Sequence, residues 1–327
     1  MKHAKTICRH LRVAAIFLAL LISLSAPSSQ VWAAEFGTGL YILGYQSAMA
    51  GYQPDPGFYL RNDLYVYQGN ATIIPFSKRV EVDLRSRLIT DIIGGTYVTP
   101  LEIFGAHYAL GMIWSSATNS FLKGKLAVDT RFPLLNRLLT RSEEGEYTGV
   151  SDLVVTPINL GWHLGQFDLM AFGNFYAPVG SYNSNRRLNT GLNRWAVEPN
   201  LAVTWLQPKY GQEVSLSMGW TANFQNPATQ YTTGQEFHLE YYLGQHLPKG
   251  FALGLAGYIY NQMTADTGSG ASLGAFHGQT IALGPCLSFN SKIGSHAIGV
   301  NARYYNEVKV HNRFDGQAFF LTLSLGL

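Results

Sequence analysis

The 327-residue chain sets 23 Lys and Arg against 20 Asp and Glu, a formal net charge of +3, and only 13% of its residues are charged. That is about half the share usual in a soluble globular protein. Aromatic residues also reach 13%, glycines number 34 and the mean hydropathy is only +0.03. Downstream of Leu24 there is no apolar run long enough for a membrane helix, so a helical membrane protein is excluded.

Lys2, Lys5, Arg9 and Arg12 form a basic stretch ahead of the apolar run Val13–Leu24, which is too short to span a bilayer comfortably. The small and polar residues Ser25–Ala34 follow, with Val31 and Ala33 at the −3 and −1 positions of a cleavage site. Residues 1–33 are therefore expected to be a signal peptide, cut after Ala33. Removing them takes four basic residues and no acid, leaving 19 basic against 20 acidic residues, a net of about −1. No basic footprint for nucleic acid survives. Cys8 is lost as well, and Cys286 alone makes no internal disulfide.

Residues 34–57 are irregular. Gly44, Gly51, Pro54, Pro56 and Gly57 interrupt any period, so this N-terminal segment reads equally as a first strand near 37–46 or as a plug. From residue 58 to 327 the period is two. Upstream candidates for strands are 58–70, 86–99, 104–116 and 122–130, with the polar stretch 131–149 read as an outer loop. Downstream candidates are 150–163, 166–179, 193–206, 211–224, 233–247, 250–264, 276–290, 296–309 and 315–327. Val197, Leu201, Val203 and Trp205 alternate with Glu198, Asn200 and Thr204. Phe237, Leu239 and Tyr241 alternate with Glu236, His238 and Glu240, and Phe319, Leu321, Leu323 and Leu325 alternate with Thr322, Ser324 and Gly326.

Short connections at 164–166, 207–212, 247–250 and 291–295 alternate strictly with longer ones at 180–193, 225–232, 265–275 and 309–315. Tight turns at one end, long loops at the other, and strands with one apolar and one polar face define an all-β fold. The class is a transmembrane antiparallel β-barrel of 12–14 strands in the outer membrane of a Gram-negative bacterium. Fourteen strands result if every candidate counts; a twelve-stranded barrel with residues 37–57 folded as an inner plug is the alternative. Trp162, Tyr176, Trp195, Trp205, Trp220, Tyr241 and Tyr258 lie near strand ends, where interface girdles are expected.

The blocks GTGLYILGYQSAMAGYQPDPGFYLRNDLYVYQG (37–69), SDLVVTPINLGWH (151–163), FYAPVGSYN (175–183) and NTGLNRWAVEPN (189–200) carry a resemblance. GQEFHLEYYLGQHLPKG (234–250), IALGP (281–285) and RYYNEVKVHNRFDGQAFFLTLSLGL (303–327) continue it in order. Together they resemble the outer-membrane proteins associated with the meta-pathway of phenol degradation, a group that includes the SphA-like proteins. The resemblance implies an outer-membrane barrel linked with aromatic or hydrophobic catabolism and regarded as a transporter. It brings no agreed catalytic or binding residues.

Glu236, His238 and Glu240 stand at i, i+2 and i+4 and share one strand face. Same-face neighbours are about 7 Å apart, too far for all three to grip one ion, so a polar lumen lining is the better reading. Arg61, Asp63, Arg85, Arg87, Glu198, Asn200, Arg303 and Glu307 are expected to join them there. Arg186, Arg187 and Arg194, in the longest downstream loop, are candidates for contact with lipopolysaccharide phosphates, with a solvated loop as the alternative.

The one GxSxG match, GASLG (270–274), lies in an expected outer loop with no helix after it and so makes no nucleophile elbow; no HExxH run occurs, and no cofactor, metal or catalytic residue is expected. GSGASLG (268–274) loosely mimics a phosphate loop but precedes no helix. The function read here is a passive channel for small hydrophobic or aromatic solutes. An outer-membrane enzyme acting on lipid or lipopolysaccharide, or a structural or adhesion barrel, is the alternative. Expected partners are outer-membrane lipid and lipopolysaccharide, the barrel assembly machinery and small hydrophobic solutes.

Overall fold

The computed structural model describes residues 39–76, 80–128, 141–271 and 277–327. The expected signal peptide, residues 34–38, the first ten residues of the expected loop 131–149, and residues 272–274 of the segment 268–274 lie outside the described residues. The strands are β1 (Gly57–Phe76), β2 (Val80–Ile103), β3 (Ala106–Val128), β4 (Arg141–Gly149), β5 (Leu153–Leu164), β6 (Phe167–Ala177) and β7 (Ala196–Gln207). They continue as β8 (Gln212–Asn223), β9 (Glu236–His246), β10 (Phe251–Gln262), β11 (Gln279–Ile293), β12 (His296–His311) and β13 (Asp315–Gly326).

Every neighbouring pair is antiparallel, and β1 pairs with β13, so the sheet closes on itself. The ring is β1, β2, β3 and β5 to β13, twelve strands. Hydrocarbon offers an unpaired amide nothing, at a cost of several kcal/mol per group, so a spanning sheet has to close. β4 continues the line of β5: β3 pairs with β5 through His107–Ile113 and with β4 through Thr118–Leu126. Between them, Val150–Asp152 leave the ladder.

Sequence and structure differ upstream. The expected strands 104–116 and 122–130 are one strand, β3. Residues 141–149 are strand β4 rather than loop, and residues 39–56 form no strand. β2 and β3 run 24 and 23 residues against 11 in β9, roughly 40 Å of extra strand. Above the membrane both faces meet water, so the period that marks a half-buried strand fades there. At the opposite end the turns are tight. Phe104 and Gly105 (φ 53° and 74°) and Lys249 and Gly250 (φ 65° and 83°) occupy the left-handed region, as short hairpin turns require.

Outward positions carry the apolar load. Leu64, Ile93, Leu110, Met112, Leu201, Leu253 and Leu323 are all exposed to the surroundings of the ring. Trp195 and Trp220 are exposed outside too. Tyr176 and Tyr258, expected in the girdles, are instead buried in the interior. Strand parity decides this: Tyr176 shares its face with buried Asn174, and Tyr258 shares its face with Ala256 and Tyr260.

Leu201 lies mid-strand on the outward face of β7, half exposed. Leu201→Arg is expected to destabilise the barrel by roughly 2–4 kcal/mol, the cost of a cation at the bilayer midplane. Guanidinium unfolding in lipid vesicles would measure it, and an unchanged midpoint would remove Leu201 from the lipid face.

Candidate functional site

Residues 39–56 run inside the ring, from the level of Glu236 down to the short-turn end where β1 begins. Inward carboxylates of the wall hold them. Glu240 accepts from the Gly44 and Gln46 amides (2.5 and 2.8 Å) and from the Tyr41 hydroxyl (2.7 Å). Glu213 accepts from the Met49 amide at 2.5 Å, from Ser215 at 2.6 Å, and sits 2.6 Å from His246 Nε2. The Thr204 hydroxyl accepts from the Gly51 amide at 3.0 Å, and Gln53 donates to the His107 carbonyl at 3.2 Å.

Two glycines make this fit. Gly44 has φ +87°, and a Cβ there would meet the Tyr305 ring at 2.5 Å. A Cβ on Gly51 would lie 2.6 Å from the wall backbone at Asp168 and Thr204. Larger residues would lift the segment off the wall.

The wall facing this segment has two halves. On β7–β9, Glu198 accepts from Asn174, Tyr176 and Asn200 (each 3.1 Å) and from Thr221 (2.5 Å), and lies 3.7 Å from His238 Nε2. The Tyr41 ring stacks on the His238 imidazole, centroids 3.7 Å apart. On β1 and β10–β13 the interior is aromatic: Tyr65, Tyr258, Tyr305 and Phe320 pack ring to ring at 4.6–6.1 Å. Inward alanines such as Ala256, Ala282 and Ala318 leave room for them. Arg61 stacks over the Tyr45 ring and binds Asp63 at 2.7 Å, with Arg303 3.5 Å from the same carboxylate.

The wall itself is discontinuous at one place. β4 pairs with β3 only, and its other edge meets the connection 178–195 instead of a strand. The Val150 carbonyl accepts from the Ser181 amide and the Thr190 hydroxyl, and Arg187 binds Glu143. Asp152 accepts from the Gly180 and Leu192 amides (2.9 and 2.7 Å). This seam begins level with Thr118 and Thr90, below the top of the apolar belt, between exposed Trp114, Phe175 and Val179.

The structure gathers Asp63, Glu198, Asn200, Glu236, His238, Glu240, Arg303 and Glu307 in the interior, all buried, with Arg61 beside them. It does not bring Arg85 and Arg87 there. They pair across from Asn70 and Gln68, on the face opposite to buried Tyr65 and Leu84, and so point outward. β2 is charged on its outer face because at that height it has left the hydrocarbon. Arg186 lies over the Tyr147 ring, Arg187 binds Glu143, and Arg194 is buried with its Nε donating to Asn223. Glu213 and Thr204 were missed, although Glu213, Ser215 and Ser217 alternate with Val214, Leu216 and Met218. Tyr305 had no signal, since an aromatic on a strand reads alike for either face, and Tyr41 had none because it lies in the aperiodic segment 39–56.

A closed ring with an apolar outer belt, tight turns at one end and long loops at the other is an outer-membrane β-barrel. Residues 62–323 match the model of the family described as "Putative MetA-pathway of phenol degradation", and the chain belongs to that family. An outer-membrane channel of Pseudomonas putida F1 superimposes with a TM-score of 0.60 at 14% identity, covering 84% of this chain and 97% of that one. A Pseudomonas aeruginosa FadL homologue (TM-score 0.39, 10% identity, 86% and 92% covered) and the CymD monoaromatic hydrocarbon channel (0.38, 9%, 85% and 90%) are more distant. No curated protein matches the sequence.

Glu240→Ala leaves two amides and a hydroxyl without their acceptor, each at roughly 1–3 kcal/mol. The variant is expected to release residues 39–56, seen as a several-fold rise in single-channel conductance in planar bilayers. Traces identical to wild type would show that Glu240 does not hold the segment.

Proposed function

We propose that this barrel carries small hydrophobic or aromatic compounds passively across the outer membrane, and that they leave the wall sideways at the β4–β6 seam. One observation carries the reading: the interior is filled while the wall is interrupted. Asp63, Thr204, Ala256, Tyr305 and Phe320 each have 0% exposure, so the barrel's middle holds no wide water path among the described residues. A polar solute needs such a path, and an apolar one does not.

At the seam the wall is held by side chains and a loop rather than by a ladder. Local opening there breaks a few contacts, whereas opening between two paired strands breaks a row of backbone hydrogen bonds. The flanking Trp114, Phe175 and Val179 present an apolar surface to the acyl chains, a favourable destination for a molecule that partitions out of water. Family membership supports a link with aromatic catabolism. The alternative, an enzyme acting on lipid, has no observation in its favour among the described residues: the Thr221 hydroxyl beside the buried His238–Glu198 pair donates to the carboxylate.

The seam can be locked. A Cβ built on Gly149 lies 2.8 Å from the Ser181 Cβ, close enough for a disulfide after a small adjustment. Gly149→Cys with Ser181→Cys, oxidised, is expected to abolish uptake of an apolar aromatic hydrocarbon by cells, and reductant to restore it. Cys286 is buried and does not compete. Undiminished uptake in the oxidised protein would exclude lateral exit. No uptake difference between wild-type cells and a deletion strain would exclude the transport reading altogether.

A further inference from the structure

Above the apolar belt, the outer face of β1–β4 forms cross-strand rows. Val66 faces Ile89, which faces Asn119, and on the other side Phe319. One step outward, Gln68, Arg87, Phe121 and Glu146 form a row flanked by Gln317. The next row is Asn70, Arg85, Lys123 and Glu144. The change from Val, Ile and Phe to charged side chains within one step marks the top of the hydrocarbon, so these rows lie at headgroup depth.

The outermost of these rows is unfavourable as it stands. Arg85 and Lys123 are direct cross-strand partners, both exposed, and like charges placed opposite one another destabilise a sheet. Arg85 makes no ion pair among the described residues. Lys123 meets Glu144 at 3.1 Å, and Arg87 approaches Glu146 only to 3.8 Å, exposed pairs that stabilise little. Arg87 Nε is buried without a hydrogen-bond partner. Three cations therefore stand together, pointing outward from the wall, at the depth where the outer leaflet carries its anions. The loop arginines 186, 187 and 194 are already engaged with Tyr147, Glu143 and Asn223.

We propose that Arg85, Arg87 and Lys123 bind a phosphate of lipid A, the phosphorylated glycolipid of the outer leaflet, on the outward face of the β2–β3 hairpin. Guanidinium forks grip phosphate oxygens in pairs, and Lys123 adds a point charge beside them. The bound phosphate removes the Arg85–Lys123 repulsion. This site lies on the lipid side of the wall and does not depend on what the barrel transports.

The full-length mature protein in detergent, titrated with bisphosphorylated lipid A and followed by native mass spectrometry, tests this. Arg85→Ala with Lys123→Ala is expected to weaken binding about tenfold, ~1.4 kcal/mol, and Arg187→Ala to leave it unchanged. In lipid-free detergent the double variant should melt at or above the wild-type temperature, because a repulsion has gone. Lipid A stripped of phosphate should bind no better to wild type than to the double variant. Equal binding of bisphosphorylated lipid A by both proteins would overturn the site. So would phosphate-free lipid A binding wild type as tightly as the bisphosphorylated form, or inorganic phosphate displacing the lipid at stoichiometric concentration.

Discussion

The structure depends on the demand that every backbone amide and carbonyl in the membrane find a partner within the protein. Ring closure through β1 and β13 answers it by ladder pairing for eleven of the ring's twelve strand pairs. Beside β3 the answer is different. The Ser151 amide still reaches the Ser115 carbonyl, but the neighbouring groups turn to the loop, with Val150 bonded to Ser181 and Thr190 and Asp152 to two amides. The hydrogen bonds are satisfied, yet by partners not tied into a ladder, and such contacts can break singly. A barrel that must stay closed to ions can afford one such place only if its groups remain paired when shut.

The same demand governs the interior. A segment without secondary structure, buried in a barrel, carries amides that nothing in its own fold can satisfy. Glu240, Glu213 and Thr204 supply the acceptors. Charge balance is handled separately: Asp63 has Arg61 and Arg303, Glu213 has His246, and Glu198 has His238 with four neutral donors. Glu240 is the exception, held mainly by amides and a tyrosine hydroxyl. That makes it a receiver for the N-terminal segment more than a member of an ion pair.

The barrel was legible because its strands bury one face against lipid and turn the other inward, and such strands alternate. β7 to β13 came within a few residues of their bounds in the structure for that reason, and Glu198, Glu236, His238, Glu240, Arg303 and Glu307 are buried on the inward face. The reading failed where that physical cause is absent. Above the membrane, β2 and β3 have water on both faces, so β3 split in two and Arg85 and Arg87 were assigned inward. Segment 39–56 has no period because its contacts are irregular and made by backbone amides as well as by side chains. The seam was invisible as well, since it arises from which strand edge lacks a neighbour, and pairing between strands distant in sequence leaves no local trace.

A polar interior looks at odds with an apolar cargo, and the geometry resolves the conflict. The carboxylates of Glu198, Glu240 and Asp63 are engaged by neighbouring side chains and by the N-terminal segment rather than held open for a solute. Their effect is to make the middle of the barrel solid. A solute entering from the loops then meets a packed floor below and, at the side, a wall whose outer surface is hydrocarbon. For a molecule with favourable transfer out of water, the proposed sideways path runs downhill without any binding site deep in the lumen. The buried polar network and the lateral seam are therefore two halves of one arrangement, the first blocking the axis and the second leaving an exit.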